Sequence, residues 1–192
     1  MRGFALCYGF SRMAYRLWRQ AGLFSLFGWL LVLPVSVPAA EDGELENKVK
    51  AAYLYHLIRF VEWPRPPQSG TMRLCIVGAP DMGNLLGELS NRQVQQDVLL
   101  SIESGDAIDP SRCQMLFIGR ADTRNDWLQR LRGKSVLTVS DRDNFASQGG
   151  MIGFYRDNRK IRLEINPDAL RTANLRASSK LLEIARSVAT DR

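Results

Sequence analysis

Four short apolar runs, rich in branched residues and separated by helical patterns, constrain the fold of this chain most. Continuous apolar runs of this length are typical of strands that are covered on both faces. Residues 81–89 and 121–131, which lie between runs, have the apolar spacing of short helices. Strands that alternate with helices predict an α/β layered sandwich with a largely parallel, Rossmann-like central sheet. The predicted strands are 73–78, 94–102, 113–119 and 135–139.

Two further strand-like runs predict an antiparallel hairpin near the C-terminus. They are residues 151–155 and 160–165, and the Asp157-Asn158 pair between them favours a tight turn. Side chains alternate along a strand, so two sets of residues are expected on opposite faces. One set is Ile161, Leu163 and Ile165, and the other is Arg162 and Glu164.

Two helices are expected after the hairpin, which completes the predicted architecture. The first spans residues 167–173. The second is predicted to be capped by Ser178 or Ser179, because a serine hydroxyl can accept a bond from the first backbone N–H groups of a helix. Its expected apolar stripe is Leu181, Leu182, Ala185, Val188 and Ala189.

Glu164 is notable as an acid within an otherwise apolar strand. Arg176 and Arg186 lie in segments that must pack near that strand. A partly buried carboxylate needs a paired cation, so a set of one glutamate and two arginines is expected here. Such a set would either fasten the C-terminal helices or line a recognition groove.

Residues 46–62 predict a long helix, which Trp63-Pro64 ends. Both sides of this helix are apolar, so it is either buried on two sides or offers a second face to a partner. His56 falls on the main face, where a lone histidine is expected to be a packed core residue rather than a catalytic one. The predicted main face is Val49, Ala52, Tyr53, His56, Leu57, Phe60 and Val61.

Residues 1–39 have the composition of a secretory signal peptide. They carry four arginines and no acid, and the uncharged run 21–37 is followed by small residues. Met13 is an alternative start that would give a signal of ordinary length, and a permanent membrane span is the competing interpretation of the apolar run. The sequence therefore predicts an exported, periplasmic protein with a single α/β domain over residues 40–192.

Removal of that segment changes the charge balance and the cysteine count. It lowers the formal net charge from +6 to +2, and the remaining basic residues are scattered among acids, so no nucleic-acid partner is expected. Cys75 and Cys113 remain. An even count in an oxidising compartment favours a disulfide, and two buried free thiols are the alternative.

No motif in the sequence predicts an enzyme, a metal site or a cofactor. The turn 78–83 lacks the glycine spacing of a dinucleotide site, and Pro80 removes a backbone donor. Asp141 and Asp143 are expected to cap a helix after the fourth strand, as part of a Ser140-x-x-Asp143 box. A small-molecule site at the strand ends, near residues 78–82 and Ser140-Asp141, stays open as an alternative.

An ordered set of segments over residues 47–188 resembles the YfiR family. The segments are KAAYLYHLIRFVEWP, RLCIVG, CQMLFIG, SVLTVSD with a later GGMIGF, KIRLEIN and SSKLLEIAR. The resemblance implies a dimeric periplasmic α/β protein that binds the periplasmic part of an inner-membrane diguanylate cyclase, or another membrane sensor, and represses it. Cys75 and Cys113 match family cysteines, whereas the second cysteine pair of the family's repressor is absent here.

Two functions therefore compete. The first is a non-catalytic repressor whose partner surface is the hairpin and C-terminal region, and the second is a periplasmic receptor for a small molecule. The resemblance places Glu164, Asn166, Arg176 and Arg186 near the recognition surface, and their apolar neighbours extend it. The complete predicted set is Ile161, Leu163, Glu164, Asn166, Leu170, Arg176 and Arg186.

Overall fold

The computed structural model describes residues 40–65, 70–95 and 98–189. The predicted signal peptide lies outside these residues, which all belong to the predicted domain. Among the described helices, none combines the length and the apolar character that a bilayer crossing requires.

Five α-helices and one short 3₁₀ turn, Pro110–Arg112, form the helical part of the described residues. Local capping explains where two of them begin. The Asn166 side chain accepts a hydrogen bond from the Ala169 N–H at 3.0 Å, and the Ser178 hydroxyl accepts one from the Leu181 N–H. The helices are α1 Ala40–Phe60, α2 Pro80–Gly87, α3 Trp127–Arg130, α4 Pro167–Thr172 and α5 Ser179–Ile184.

Ten strands in the described part of the chain form two sheets. The small sheet pairs β1 with β9, and the large sheet has the order β10-β8-β7-β6-β5-β2-β4-β3. Neighbours from β7 through β4 run parallel, whereas β7 with β8 and β3 with β4 are antiparallel. The strands are β1 Val61–Glu62, β2 Thr71–Val77, β3 Gln93–Gln95, β4 Val98–Ser104, β5 Met115–Ile118, β6 Leu137–Ser140, β7 Ile152–Asp157, β8 Lys160–Ile165, β9 Arg176–Ala177 and β10 Ala185–Ser187.

The predicted α/β class, parallel centre and C-terminal hairpin are confirmed. Asn158 and Arg159 both have positive φ, as the tight hairpin turn requires. Two element predictions are wrong. The predicted strand 94–102 is two antiparallel strands, β3 and β4, and the predicted helix 121–131 contains only the four helical residues of α3.

The predicted last helix is also wrong beyond Ile184. Its stripe was expected to continue through Ala185, but the chain becomes extended there and adds β10 to the edge of β8. The register pairs Ala185 with Leu163 and Arg186 with Glu164. A bare sheet edge leaves backbone N–H and C=O groups unpaired, so pairing with β8 stabilises the extended form here.

Helix α1 buries a different face from the predicted one. His56 and Ala52 are exposed, so His56 is not a core residue. The two stripes of α1 are both apolar, and only the packing of the helix on the sheet selects between them. The buried stripe is Ala51, Leu54, Leu57, Ile58 and Val61.

Two hydrophobic clusters pack on opposite faces of the large sheet. The first core takes Leu74, Ile76 and Phe117 from the strands and packs them against helices on that side, among them α1, α2 and α4. The second core takes the alternate residues and buries Trp127 of α3. Alternation along the strands therefore divides the apolar side chains between two layers.

Cys75 and Cys113 form a disulfide within the second core, with their Cα atoms 6.0 Å apart. The bond joins β2 to the residue that follows the 3₁₀ turn. The disulfide prediction is therefore confirmed, and the free-thiol alternative is not what the structure shows.

The second core stops short of one end of the sheet. Among the described residues it contains none from β7, β8 or β10.

Candidate functional site

The hairpin and β10 present one sheet face that the second core leaves uncovered. We call it the hairpin face and define it by Tyr155, Arg162, Glu164 and Arg186. The register pairs Tyr155 with Arg162, and Glu164 with Arg186, and paired residues point to the same side of a sheet. Leu163 lies between Arg162 and Glu164 in sequence, and its side chain points into the first core instead.

Glu164 is the buried acceptor of this face. The residue is 4% exposed, and its Oε2 accepts a hydrogen bond from Nη2 of Arg186 at 2.8 Å. Its carboxylate lies over Gly153, where an added Cβ would come within 2.7 Å of Oε1. A glycine opposite Glu164 therefore gives the carboxylate its space, and Arg186 compensates its charge.

Arg186 is the group through which this pair meets solvent. Its side chain is half-exposed, and its guanidinium lies 4.0 Å from the centre of the Tyr155 ring. The hydrogen bond to Glu164 raises the pKa of Arg186 above its ordinary value, so the group is cationic at every physiological pH. A guanidinium that is hydrogen-bonded to a carboxylate and lies over an aromatic ring is suited to planar, acidic groups on a partner.

Three of the predicted contact residues are buried instead. Leu163, Asn166 and Leu170 have little or no exposed surface. Asn166 caps α4 and donates a hydrogen bond from Nδ2 to the Ala146 carbonyl at 2.8 Å. In this conformation these residues support the surface, and Ile161 is half-buried against the first core.

Arg176 belongs to a different place from Glu164 and Arg186. It lies on β9, in the small sheet, and contributes to a cleft of about 430 Å³ that also includes Trp63 and Arg171. The predicted cluster of one glutamate with two arginines is therefore a pair, Glu164 with Arg186, because Arg176 is on another sheet.

The strand ends near Gly78 are filled by protein. An added Cβ on Gly78 would lie 2.3 Å from the backbone nitrogen of Asp122, and one on Gly119 would lie 2.3 Å from the Gly78 carbonyl oxygen. Asp122 is buried and is bound by Arg124, Arg142 and the Trp127 indole N–H. The two turns are thus in direct contact, and the small-molecule alternative near residues 78–82 and Ser140-Asp141 stays a prediction.

The expected helix cap after β6 is wrong. Residues 142–149 form turns rather than a helix, and the Ser140 hydroxyl donates to the Ile118 carbonyl while accepting from the Arg142 N–H. Asp141 instead binds Lys50 of α1 at 2.7 Å, and Asp143 binds Arg120 at 2.8 Å. These contacts join residues distant in sequence, so nothing in the local pattern indicates them.

Sequence reasoning missed Tyr155 of the hairpin face and the contact between Lys50 and Asp141. Tyr155 gave no signal, because an aromatic residue in a strand is ordinary. Lys50 and Glu46 are four residues apart in α1, a spacing that favours an ion pair. This spacing is the one local sign of the polar residues around Asp141.

The fold defines a mixed α/β domain with a largely parallel sheet. The chain belongs to the YfiR/HmsC-like family, whose model matches residues 47–186. The match begins within α1 and ends at Arg186 of β10, so it includes all four residues of the hairpin face. The family is regulatory rather than catalytic.

Proposed function

We propose that this protein is a periplasmic, non-catalytic repressor that binds the periplasmic part of an inner-membrane diguanylate cyclase and lowers cyclic di-GMP synthesis. The family membership supports a regulator. One structural observation supports the site: on the hairpin face, a buried Glu164, which also accepts from the Ala146 N–H, holds an exposed Arg186 against Tyr155.

The arrangement suits a recognition surface. Arg186 is held in one orientation by Glu164 and Tyr155 before any partner arrives, so little side-chain entropy is lost when a partner carboxylate binds. Arg162 adds a second exposed cation on the same face, where its Nε lies 4.0 Å from the exposed carboxylate of Asp157. The surface is therefore matched to an acidic patch on the sensor region.

Repression requires the surface to prefer one state of its partner. A protein that binds the inactive cyclase more tightly shifts the population toward that state, whereas equal affinity for both states changes nothing. The repressor needs no chemistry of its own, and its effect depends on concentration and on the signal that releases it.

The test reverses the charge of the exposed member of the pair. We expect Arg186→Glu to raise cellular cyclic di-GMP and to abolish capture of a membrane cyclase by the tagged full chain. The matched control is Arg92→Glu, an exposed arginine near the opposite edge of the sheet, next to β3.

Two results would count against the proposal. One is unchanged cyclic di-GMP in Arg186→Glu cells that contain normal amounts of folded protein. The other is an equal effect of Arg92→Glu. Arg186→Glu and Glu164→Lys both leave a buried charge beside a like charge, so the melting temperature of each variant is measured together with cellular cyclic di-GMP.

A further inference from the structure

A second polar region lies beside the hairpin face, and Tyr155 belongs to both. It is a cleft of about 340 Å³ beside Asp141, at the carboxyl end of β6, and its walls include Glu46, Lys50, Arg120 and Arg156. Ligands of α/β sheets bind at this end of the strands, and the volume is at the small end of the range for ligand sites.

Lys50 is an unusual residue for the inner side of α1. It is 5% exposed, and its ammonium lies 2.7 Å from Oε1 of Glu46 and 2.7 Å from Oδ2 of Asp141. Burial of three charges costs desolvation free energy that an apolar side chain would avoid. The cluster is therefore a candidate for a binding role, since stability alone does not require it.

Asp141 has an unused acceptor at this site. Its Oδ1 is buried and has no hydrogen-bond partner in the described part of the chain. A buried acceptor without a donor is rare, because it loses its bonds to water and gains none in return. A small turn of the carboxylate would present this oxygen to a donor in the cleft.

Two arginines stand at the mouth of the cleft. Arg156 binds Glu46 through Nη2, and Arg120 donates from Nε to the Asp141 carbonyl and from Nη2 to Asp143. Both side chains are well exposed, and a guanidinium has five N–H donors, so each retains donors for a further acceptor. A carboxylate is the acceptor that a guanidinium matches best among small organic groups.

We propose that this cleft binds a small hydroxylated carboxylate, such as a sugar acid. Its hydroxyl would donate to Asp141, and its carboxylate would accept from Arg120 and Arg156. Asp141 already holds the Lys50 ammonium, so a neutral hydroxyl is a better additional donor than a second ammonium, which would repel Lys50. Three cations and two carboxylates lie in the walls, and Asp143 just outside them pairs with Arg120, so the exposed guanidinium donors rather than an excess of positive charge would hold the ligand.

Calorimetric titration of the purified protein, expressed from the full chain, tests this site. D-glucuronate and D-glucose are the probes, because they differ only in the carboxylate. We expect saturable one-to-one binding of glucuronate and none of glucose. Arg156→Gln should weaken glucuronate binding by about tenfold or more, the loss of a charge-assisted bond. Arg162→Gln, on the same hairpin but outside the cleft, should leave it unchanged.

Three outcomes would overturn the inference. They are no saturable binding of glucuronate, gluconate or glycerate, glucose binding as tight as that of glucuronate, and equal effects of Arg156→Gln and Arg162→Gln. Arg156 is exposed, so its variant is expected to remain folded, and the melting temperature checks this. The titration contains no membrane partner, so an absence of glucuronate binding does not affect the repressor proposal. Equally, unchanged cyclic di-GMP in the Arg186→Glu variant does not affect the proposed ligand site.

Discussion

At the scale of single residues, buried charges decide the local geometry at three places. Glu164 is paired with Arg186, Lys50 with Asp141, and Asp122 with a set of arginines. Each buried charge has a partner brought from a distant part of the chain or from a tight turn. Loss of one member would leave the other uncompensated, so these are the positions where a single substitution has the largest electrostatic effect.

Asp122 gives a prediction about pH. Burial alone would raise the pKa of its carboxyl, but hydrogen bonds from the Arg124 side chain, the Arg124 N–H and Trp127 outweigh burial and lower it. A carboxyl with a lowered pKa stabilises the fold above its unfolded pKa of about 3.9, and this stabilisation is lost as the pH falls through the folded value. We therefore expect the free energy of unfolding to decrease as the pH is lowered below about 4.

Denaturant unfolding between pH 7 and pH 3 measures this dependence. Asp122→Asn should be less stable at pH 7 by about 1–3 kcal/mol, because charge-assisted bonds are lost, and should show a shallower decrease in acid. Asp126→Asn, an exposed neighbour in the same loop, should behave as the parent protein. Parallel pH curves for Asp122→Asn and the parent would show that Asp122 is not responsible.

At the scale of elements, the C-terminal segment shows how a sheet edge overrides a helical pattern. The apolar spacing continues through Ala189, yet helix α5 ends at Ile184 and the next three residues pair with β8. The change of structure places Arg186 beside Glu164. A continued helix would have carried Arg186 away from the strand register, so the hairpin face depends on this switch.

Adjacent leucines in α5 test which side of this helix is buried. Leu181 is fully buried in the first core, whereas Leu182 is 43% exposed, although both belong to the predicted stripe. We expect Leu181→Ala to lower the free energy of unfolding by about 2–5 kcal/mol. Leu182→Ala should change it by less than about 0.5 kcal/mol. Equal losses in chemical denaturation would mean that the two leucines are equally buried, contrary to the packing of α5 described above.

At the scale of the whole molecule, one disulfide fastens the second core. Cys75 and Cys113 are 38 residues apart in sequence, and the closed loop contains α2 together with β3 and β4. The cross-link restricts the unfolded chain, which in the loop-entropy description stabilises the folded state by about 3–4 kcal/mol. The second core is smaller than the first, so the disulfide stabilises the layer in which hydrophobic burial contributes less.

Removal of both cysteines should therefore reduce global stability. We expect the Cys75→Ala, Cys113→Ala double variant to lose about 3–4 kcal/mol of unfolding free energy in denaturant titrations. The parent protein unfolded in the presence of dithiothreitol should approach the stability of the variant, and the variant should not respond to the reductant. A parent protein whose denaturation midpoint ignores dithiothreitol would contradict the stabilising role.

Much of the fold could be predicted because its signals are local. Apolar runs of strand length, the Asp157-Asn158 turn and the serine cap of the last helix each depend on a few neighbouring residues. Three of the four residues of the hairpin face could be predicted in the same way, since Arg162 was also placed on the face of Glu164. Glu164 was identified as an acid in an apolar strand, and Arg186 as its partner, but Tyr155 was not, since its role depends on a register between strands.

The sequence by itself determined the α/β class, the hairpin, the cysteine pair and the family resemblance, because each depends on local patterns or on their order. Only the tertiary structure decided which apolar stripe of α1 is buried and where α5 becomes a strand. It also decided which arginine reaches Glu164 and why Lys50 lies beside Asp141. Such outcomes depend on contacts between residues far apart in the chain, whose energies exceed the small preferences that local patterns express.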